Sequence, residues 1–287
     1  MCRQAYGKAV EILKTIRSYY RSSPAAVISG IIIVLFILAA ISAPLLTPYE
    51  YDAIDLSNRF AAPGGGHIFG TDALGRDFFT RVLFGSRISL LVGIVSTVLS
   101  TFIGVLLGVI AGVSGKFVEA AIMRAADVAL AFPSLLLAMV IMFSLGGGMF
   151  NMFLAIALVN WAGSARIIYS QTLKIKEASY IEYARLAGLS RIEIIFRHII
   201  PNCTSEIIAV LTMDIPSAII AESTLSFLGM GIARPAASWG TLVNTGRQYL
   251  FTDPILCIIP CAAIAAIVLA FNVFGRNIEK LRGYDYE

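Results

Sequence analysis

Six long apolar stretches separated by polar segments dominate the pattern of this 287-residue chain. They run over 25–46, 88–113, 118–145, 150–168, 205–230 and 255–274. A helix that crosses a bilayer needs about 20 mainly apolar residues, so each stretch predicts one membrane span. Pro44 and Pro48 stop the first. A cleaved signal peptide is a poor reading of that first stretch, which begins after 24 residues and is followed by five more spans. The pattern predicts an all-α fold, a polytopic membrane helix bundle of about six transmembrane helices. Residues 1–24 form a cytoplasmic amphipathic segment and 25–46 the first span. Residues 47–87 form an extracytoplasmic loop. Residues 88–275 form a core of five spans with a cytoplasmic loop at about 171–203, and 276–287 form a cytoplasmic tail.

Charge sets the orientation, because cytoplasmic loops collect Lys and Arg. Arg3, Lys8, Lys14, Arg17 and Arg21 precede the first span. Arg166, Lys174, Lys176, Arg185, Arg191 and Arg197 lie between spans four and five, and Arg276, Lys280 and Arg282 follow the last. With six spans these fall on one side, together with Lys116 and Arg124 at the turn between spans two and three. Both termini are therefore expected in the cytoplasm. The opposite side holds Arg59, Arg76, Arg81, Arg87, Arg234 and Arg247, with Glu50, Asp52, Asp55, Asp72 and Asp77 as counter-charges in its first loop. Tyr6, Val10, Leu13, Ile16 and Tyr20 recur at near-helical spacing beside a basic face. That spacing predicts a helix lying on the inner membrane surface or a cytosolic helix.

Composition sharpens the picture. The chain is 58% hydrophobic and 14% charged, against about 25% charged in an ordinary soluble domain, so lipid is its solvent. The net charge is +4 and no basic stripe with interleaved aromatics appears, which excludes nucleic acid as a partner class. Of four cysteines, Cys257 and Cys261 sit i,i+4 in an apolar run that reads as packing. No Cys/His cluster suggests a metal site, and His67 and His198 are isolated. Gly104, Gly108 and Gly112 recur every four residues. They lay a side-chain-free groove along span two where another helix can approach closely. Asp127, Asp214 and Glu222 are acids at membrane depth without basic partners in the sequence. Each costs about 2.5–3.5 kcal/mol at mid-bilayer, so each should face protein or water, in a structural or pathway-lining role.

The polar stretch between spans four and five carries the strongest local signal. Ser179-Tyr180-Ile181-Glu182 and Ser190-Arg191-Ile192-Glu193 both fit a capping box. Gly188 between them fits a left-handed helix stop, and Pro201 should end the second helix. The stretch predicts helix, glycine turn, helix on the cytoplasmic face. Tyr180, Ile181, Tyr183, Ala184 and Leu186 point several ways, so either a partner protein or the bundle itself covers them.

Glu182-Tyr183-Ala184, Gly188 and His198-Ile199-Ile200-Pro201 resemble the Glu-Ala-Ala loop of binding-protein-dependent ABC permeases, with matching spacing. Tyr183 stands at the second position, and His198 and Ile200 replace an aliphatic pair. Other stretches resemble the dipeptide, oligopeptide and nickel branch of that family. They are Gly70-Thr71-Asp72-Ala73-Leu74-Gly75-Arg76-Asp77, Ser86 to Leu90, Arg124-Ala125-Ala126-Asp127 and Phe132-Pro133-Ser134. Glu222 to Gly229, Trp239-Gly240 and Ala270-Phe271-Asn272 complete the set. The likeness covers about residues 25–275. One departure is Gly275-Arg276, where the family often has Gly-Asp.

The resemblance implies a type I ABC importer permease fold. It also implies a coupling loop of Tyr180, Ile181, Glu182, Tyr183, Ala184, Arg185, Leu186, Ala187 and Gly188 that inserts a short helix into an ATPase subunit. The implied partners are two ATPases, a second homologous permease chain and an extracytoplasmic solute-binding protein. The chain itself has no P-loop: the nearest approach, Gly115-Lys116-Phe117, lacks the first Gly and the Ser/Thr. It is therefore expected to be no enzyme and to bind no cofactor, ATP and Mg residing in the partners. Short peptides are the expected cargo, with nickel or a metal chelate as the alternative. An ion-coupled secondary transporter would need inverted repeats or intramembrane ion sites, and a channel a filter or charge ring. At the outer face, Asp72, Arg76 and Asp77 brace the loop or meet the binding protein. The segment from Leu225 to Gly231 is a helix break or a substrate contact. Trp239 anchors at the interface or lines the outer mouth.

Overall fold

A computed structural model describes residues 24–232 and 235–283, with 278–283 described by backbone alone. The amphipathic segment expected before residue 24 lies outside the described residues. Helix α1 (Pro24–Leu46) is followed by a long loop. The bundle then comprises α2 (Phe78–Val113), α3 (Lys116–Ala131), α4 (Ser134–Leu145) and α5 (Met149–Lys176). Next come the short helices α6 (Ser179–Leu186) and α7 (Arg191–Ile194), then α8 (Thr204–Phe227), α9 (Trp239–Gly246) and α10 (Ile255–Gly283). Among the described residues there is no β-strand, only two isolated bridges, Gly64 with His67 and Thr71 with Asp77. Five helices are long and apolar enough to cross a membrane, or six if the bent pair α3–α4 counts as one span. The all-α membrane bundle of five to six spans is therefore the observed architecture.

Three expected span boundaries need correction. Span two begins at Phe78 rather than 88, because Asp77 caps it: its carboxylate accepts from Thr80 N–H at 2.7 Å. The resulting 36-residue helix is about 54 Å long, well beyond a hydrocarbon core of about 30 Å, so part of it projects past the core. The third span is no single helix. Phe132 is extended before Pro133, as the proline ring demands of its predecessor, and α3 and α4 meet at 96°. The fourth continues past 168 to Lys176, which takes Lys174 and Lys176 out of the loop and into the helix.

Close approach of α2 and α5 organises the bundle. A Cβ on Gly104 would lie 2.5 Å from the Ser164 Cβ, and one on Gly108 2.6 Å from the Ala165 carbonyl oxygen. One on Gly112 would collide with Thr172. Glycine lets the two backbones approach, so dispersion contacts replace the hydrophobic drive that lipid cannot supply. Three apolar clusters fill the space around this pair. The first joins α1, α2, α8, α9 and α10 around Ile33, Leu90, Ile219, Trp239 and Phe271. The second joins α2, α4, α5 and α8 around Val92, Met142, Ile156 and Leu225. The third, at the end of α2 near α6, joins Val109, Ile168 and Ile175 to Ile181, Ala184 and Ile194.

Candidate functional site

The loop between α5 and α8 packs one face and leaves the other bare. Ile181 and Ala184, three apart on α6, sink into the third cluster against Ile175, Ile194 and Ile199. Tyr183 is 71% exposed and Leu186 78% exposed. Farther along, Ile192 and Phe196 are also exposed. The alternatives of self-packing and a free face thus coexist on one short helix. Burial pushes the Tyr180 phenol above its ordinary range.

The two expected capping boxes part company. Ser190 forms one: its Oγ accepts from Glu193 N–H at 3.2 Å, and Glu193 accepts from Ser190 N–H at 3.0 Å. That backbone bond holds the Glu193 carboxyl below its usual range. Ser179 does not form the other. The N-cap is Ala178 without a side-chain bond, because the chain leaves α5 so tightly that Ser179 is already helical. Gly188 adopts φ +82°, the left-handed stop that its position predicts. Pro201 does not end the second helix. The chain widens into a π-helical turn over Ile195–Ile199 and continues through Ile200–Asn202 to α8. The wider turn absorbs the carbonyl partner that a proline nitrogen cannot supply.

In the loop between α1 and α2, the Gly70 to Asp77 motif is a charge-braced turn. The Asp72 carboxylate accepts from Leu74 N–H at 2.8 Å and Arg76 N–H at 3.1 Å, and from Arg76 Nε–H at 2.8 Å. Arg81 Nε lies 3.5 Å from the same carboxylate. Asp77, besides capping α2, lies 2.9 Å from His67 Nδ1. Gly75, at φ +72°, passes against the Asp55 backbone, where a side chain has no room. Among the two readings of this motif, these bonds belong to bracing.

The membrane-depth acids have distinct surroundings. Glu222 is fully buried and accepts from Ser89 Oγ at 2.9 Å, Ser226 Oγ at 2.7 Å and Ser223 Oγ at 3.3 Å. Asp214 accepts from Ser164 Oγ at 3.4 Å. Asp127 does have a basic partner, contrary to the sequence reading: Arg166 of α5 forms a salt bridge with it across to α3. The sequence reading grouped Arg166 with the basic residues between spans four and five. The missed signal is that both charges stand at a similar remove from the inner ends of their helices. Trp239 neither anchors at an interface nor lines a mouth. It is completely buried, its Nε1–H donates to the Val82 carbonyl at 3.1 Å, and Phe36 packs edge-on at 5.7 Å. Leu225 to Gly231 ends α8: Gly229 takes φ +87° and Met230 N–H returns to the Leu225 carbonyl at 2.9 Å, a Schellman-type close. Among the described residues no group of three His, Cys, Asp or Glu is placed to hold a metal ion.

The bundle of five to six spans with a bent third segment and a helical loop before α8 is a membrane-protein fold. Solved chains share this fold. One from the inward-facing MetNI methionine ABC transporter aligns at TM-score 0.57 and 15% identity, covering 71% of this chain and 97% of that one. One from an amino acid ABC transporter with histidines aligns at TM-score 0.52 and 16% identity, covering 73% and 92%. The family model of binding-protein-dependent transport system inner membrane components matches residues 104–281, and the chain belongs to that family. The model of the N-terminal transmembrane domain of oligopeptide transport permease C matches residues 13–63. The probable D,D-dipeptide transport system permease protein of Escherichia coli K12 is 41% identical over 261 residues, 91% of this chain and 88% of its own. The oligopeptide transport system permease protein of Bacillus subtilis is 37% identical over 272 residues, 95% and 89%. Such permeases are membrane components and not enzymes.

Proposed function

We propose that this chain is one permease subunit of an ATP-driven importer of short peptides, forming half of a pathway shared with a second homologous permease. Its remaining partners are two ATPase subunits and an extracytoplasmic binding protein. ATP and Mg bind the ATPases, this chain binds no cofactor, and both termini are cytoplasmic. The names of the similar permeases favour peptide over nickel or a metal chelate as cargo. Family membership weighs against a secondary transporter.

The observation that carries the coupling role is the geometry of α6. A helix whose inner face is fixed by Ile181 and Ala184, and whose outer face presents Tyr183 and Leu186, transmits force rather than absorbing it. Closure of the ATPases on ATP would move the helix, and the helix would carry the inner ends of α2, α5 and α8 with it. Only a difference in nucleotide affinity between the two ATPase arrangements biases that motion. Tyr183→Asp and Leu186→Asp place a charge on the docking face without touching the buried one. The expected result is loss of the ATPases from the purified complex while this chain still folds. Retention of the ATPases with normal uptake would remove the coupling role.

A further inference from the structure

The Asp127–Arg166 pair stands at an unusual place for two charges. Gly104 of α2 lies against Ser164 and Ala165 of α5, so Arg166 is level with Leu106. Leu106 is half-exposed and apolar, and α2 remains apolar from there to Val113. The bilayer therefore continues past this level on the α2 side. Arg166 is roughly ten residues, about 15 Å, above Lys176 at the inner end of α5, and Asp127 a similar distance above Lys116. Yet the two side chains are 52% and 49% exposed. Ser170 and Lys174 follow Arg166 at four-residue spacing and are also exposed. Residues above them on the same face of α5, Met152, Ile156 and Val159, are buried in the cluster that α4 completes. The same helix face thus changes from sealed and apolar in its outer half to open and polar in its inner half. Gly163, at the transition, has nothing within 4 Å of where a Cβ would stand. Lipid does not tolerate half-exposed opposite charges at this depth.

We propose that Asp127 and Arg166, above Ser170 and Lys174, line a water-filled inner vestibule of the translocation path and bind the two ends of a zwitterionic peptide. This rests on the peptide-import reading above. A half-exposed ion pair is worth little, so it opens readily. The Arg166 guanidinium then takes the peptide carboxylate in the planar two-point geometry that suits it, and the Asp127 carboxylate takes the ammonium. One ion pair becomes two, net charge in the vestibule is unchanged, and no proton or metal is required. Ser170 and Lys174 continue the polar track toward the cytoplasm, where the cargo leaves.

The test uses the assembled importer in inside-out vesicles, with the four native cysteines replaced. Asp127→Cys and Arg166→Cys are labelled with a charged maleimide, and Leu106→Cys is the lipid-facing control. Both sites are expected to label at least about tenfold faster than the control, and slower when dipeptide is present. Labelling no faster than the control would show the face covered by lipid or by the partner permease and would overturn the proposal. In a second arm, Asp127→Asn and Arg166→Gln are expected to raise the uptake KM for a dipeptide about tenfold with maximal rate within about twofold. A fall in maximal rate at unchanged KM would overturn recognition even if the vestibule is wet. The unaltered importer decides the underlying reading separately: if it moves no dipeptide, peptide import fails, whereas the labelling arm stands on its own.

Discussion

Ser89 and Glu222, 133 residues apart in the chain, are joined by a 2.9 Å hydrogen bond between buried side chains. The same Ser89 oxygen accepts the backbone N–H of Trp239 at 3.2 Å. One hydroxyl therefore ties α2, α8 and the start of α9 together. A buried polar group that loses its partner costs about 1–3 kcal/mol, more than the bond itself contributes. Ser89→Ala is expected to lower unfolding free energy by about that amount, read as a lower thermal midpoint in detergent micelles. An unchanged midpoint would mean that water or another group takes up the bond.

The outer loop should fail through one residue. Asp72 faces Arg76 and Arg81, and all three are nearly buried. Removing one partner of a buried ion pair costs about 3–5 kcal/mol because the other charge stays behind. Asp72→Ala should therefore open the loop between α1 and α2, seen as new protease cleavage between residues 50 and 77 from the outer side. Equal resistance to the wild type would refute the bracing role.

The glycine groove makes a graded prediction. Gly108→Ala forces a methyl to 2.6 Å from the Ala165 carbonyl oxygen, an overpacking that typically costs about 1–3 kcal/mol, and Gly108→Leu should prevent folding. Gly163→Ala has free space around it and should be silent in yield and thermal midpoint. If both alanine variants behave alike, the close contact of α2 with α5 does not limit stability.

Gly188 tests the turn behind α6. Its φ of +82° is strained for any residue with a side chain, and open space surrounds it, so a substitution acts through the backbone alone. Gly188→Val should cost about 1–2 kcal/mol locally and tilt α6, and Gly188→Asn should be milder. An importer carrying Gly188→Glu in this chain should still hydrolyse ATP while uptake per ATP falls. A wild-type ratio of uptake to hydrolysis would show that the turn does not set the position of α6.

Much of this molecule was legible because its signals are local. Spans announce themselves since an apolar run of sufficient length has few places to go other than lipid. Gly188, Ser190 and the Gly104 to Gly112 stripe were readable because a left-handed turn, a cap and a close helix contact each demand a particular residue type at a fixed spacing. Ser179 misled for the same reason: the motif was present, but the tight exit from α5 had already made its backbone helical. Pro201 misled because a π-turn accommodated it.

What the sequence determined by itself, then, was the number of spans to within one broken helix and the helical loop between spans four and five, which follow from hydrophobicity and short-range backbone chemistry, while the family came from the resemblance of its motifs to known permeases. Tertiary structure alone decided which groups met across the chain: Ser89 with Glu222, Arg166 with Asp127, and Trp239 with Val82 rather than with an interface. Those partners lie 39 to 157 residues apart. Their pairing depends on how helices register when small residues let them touch, and no local pattern encodes that register.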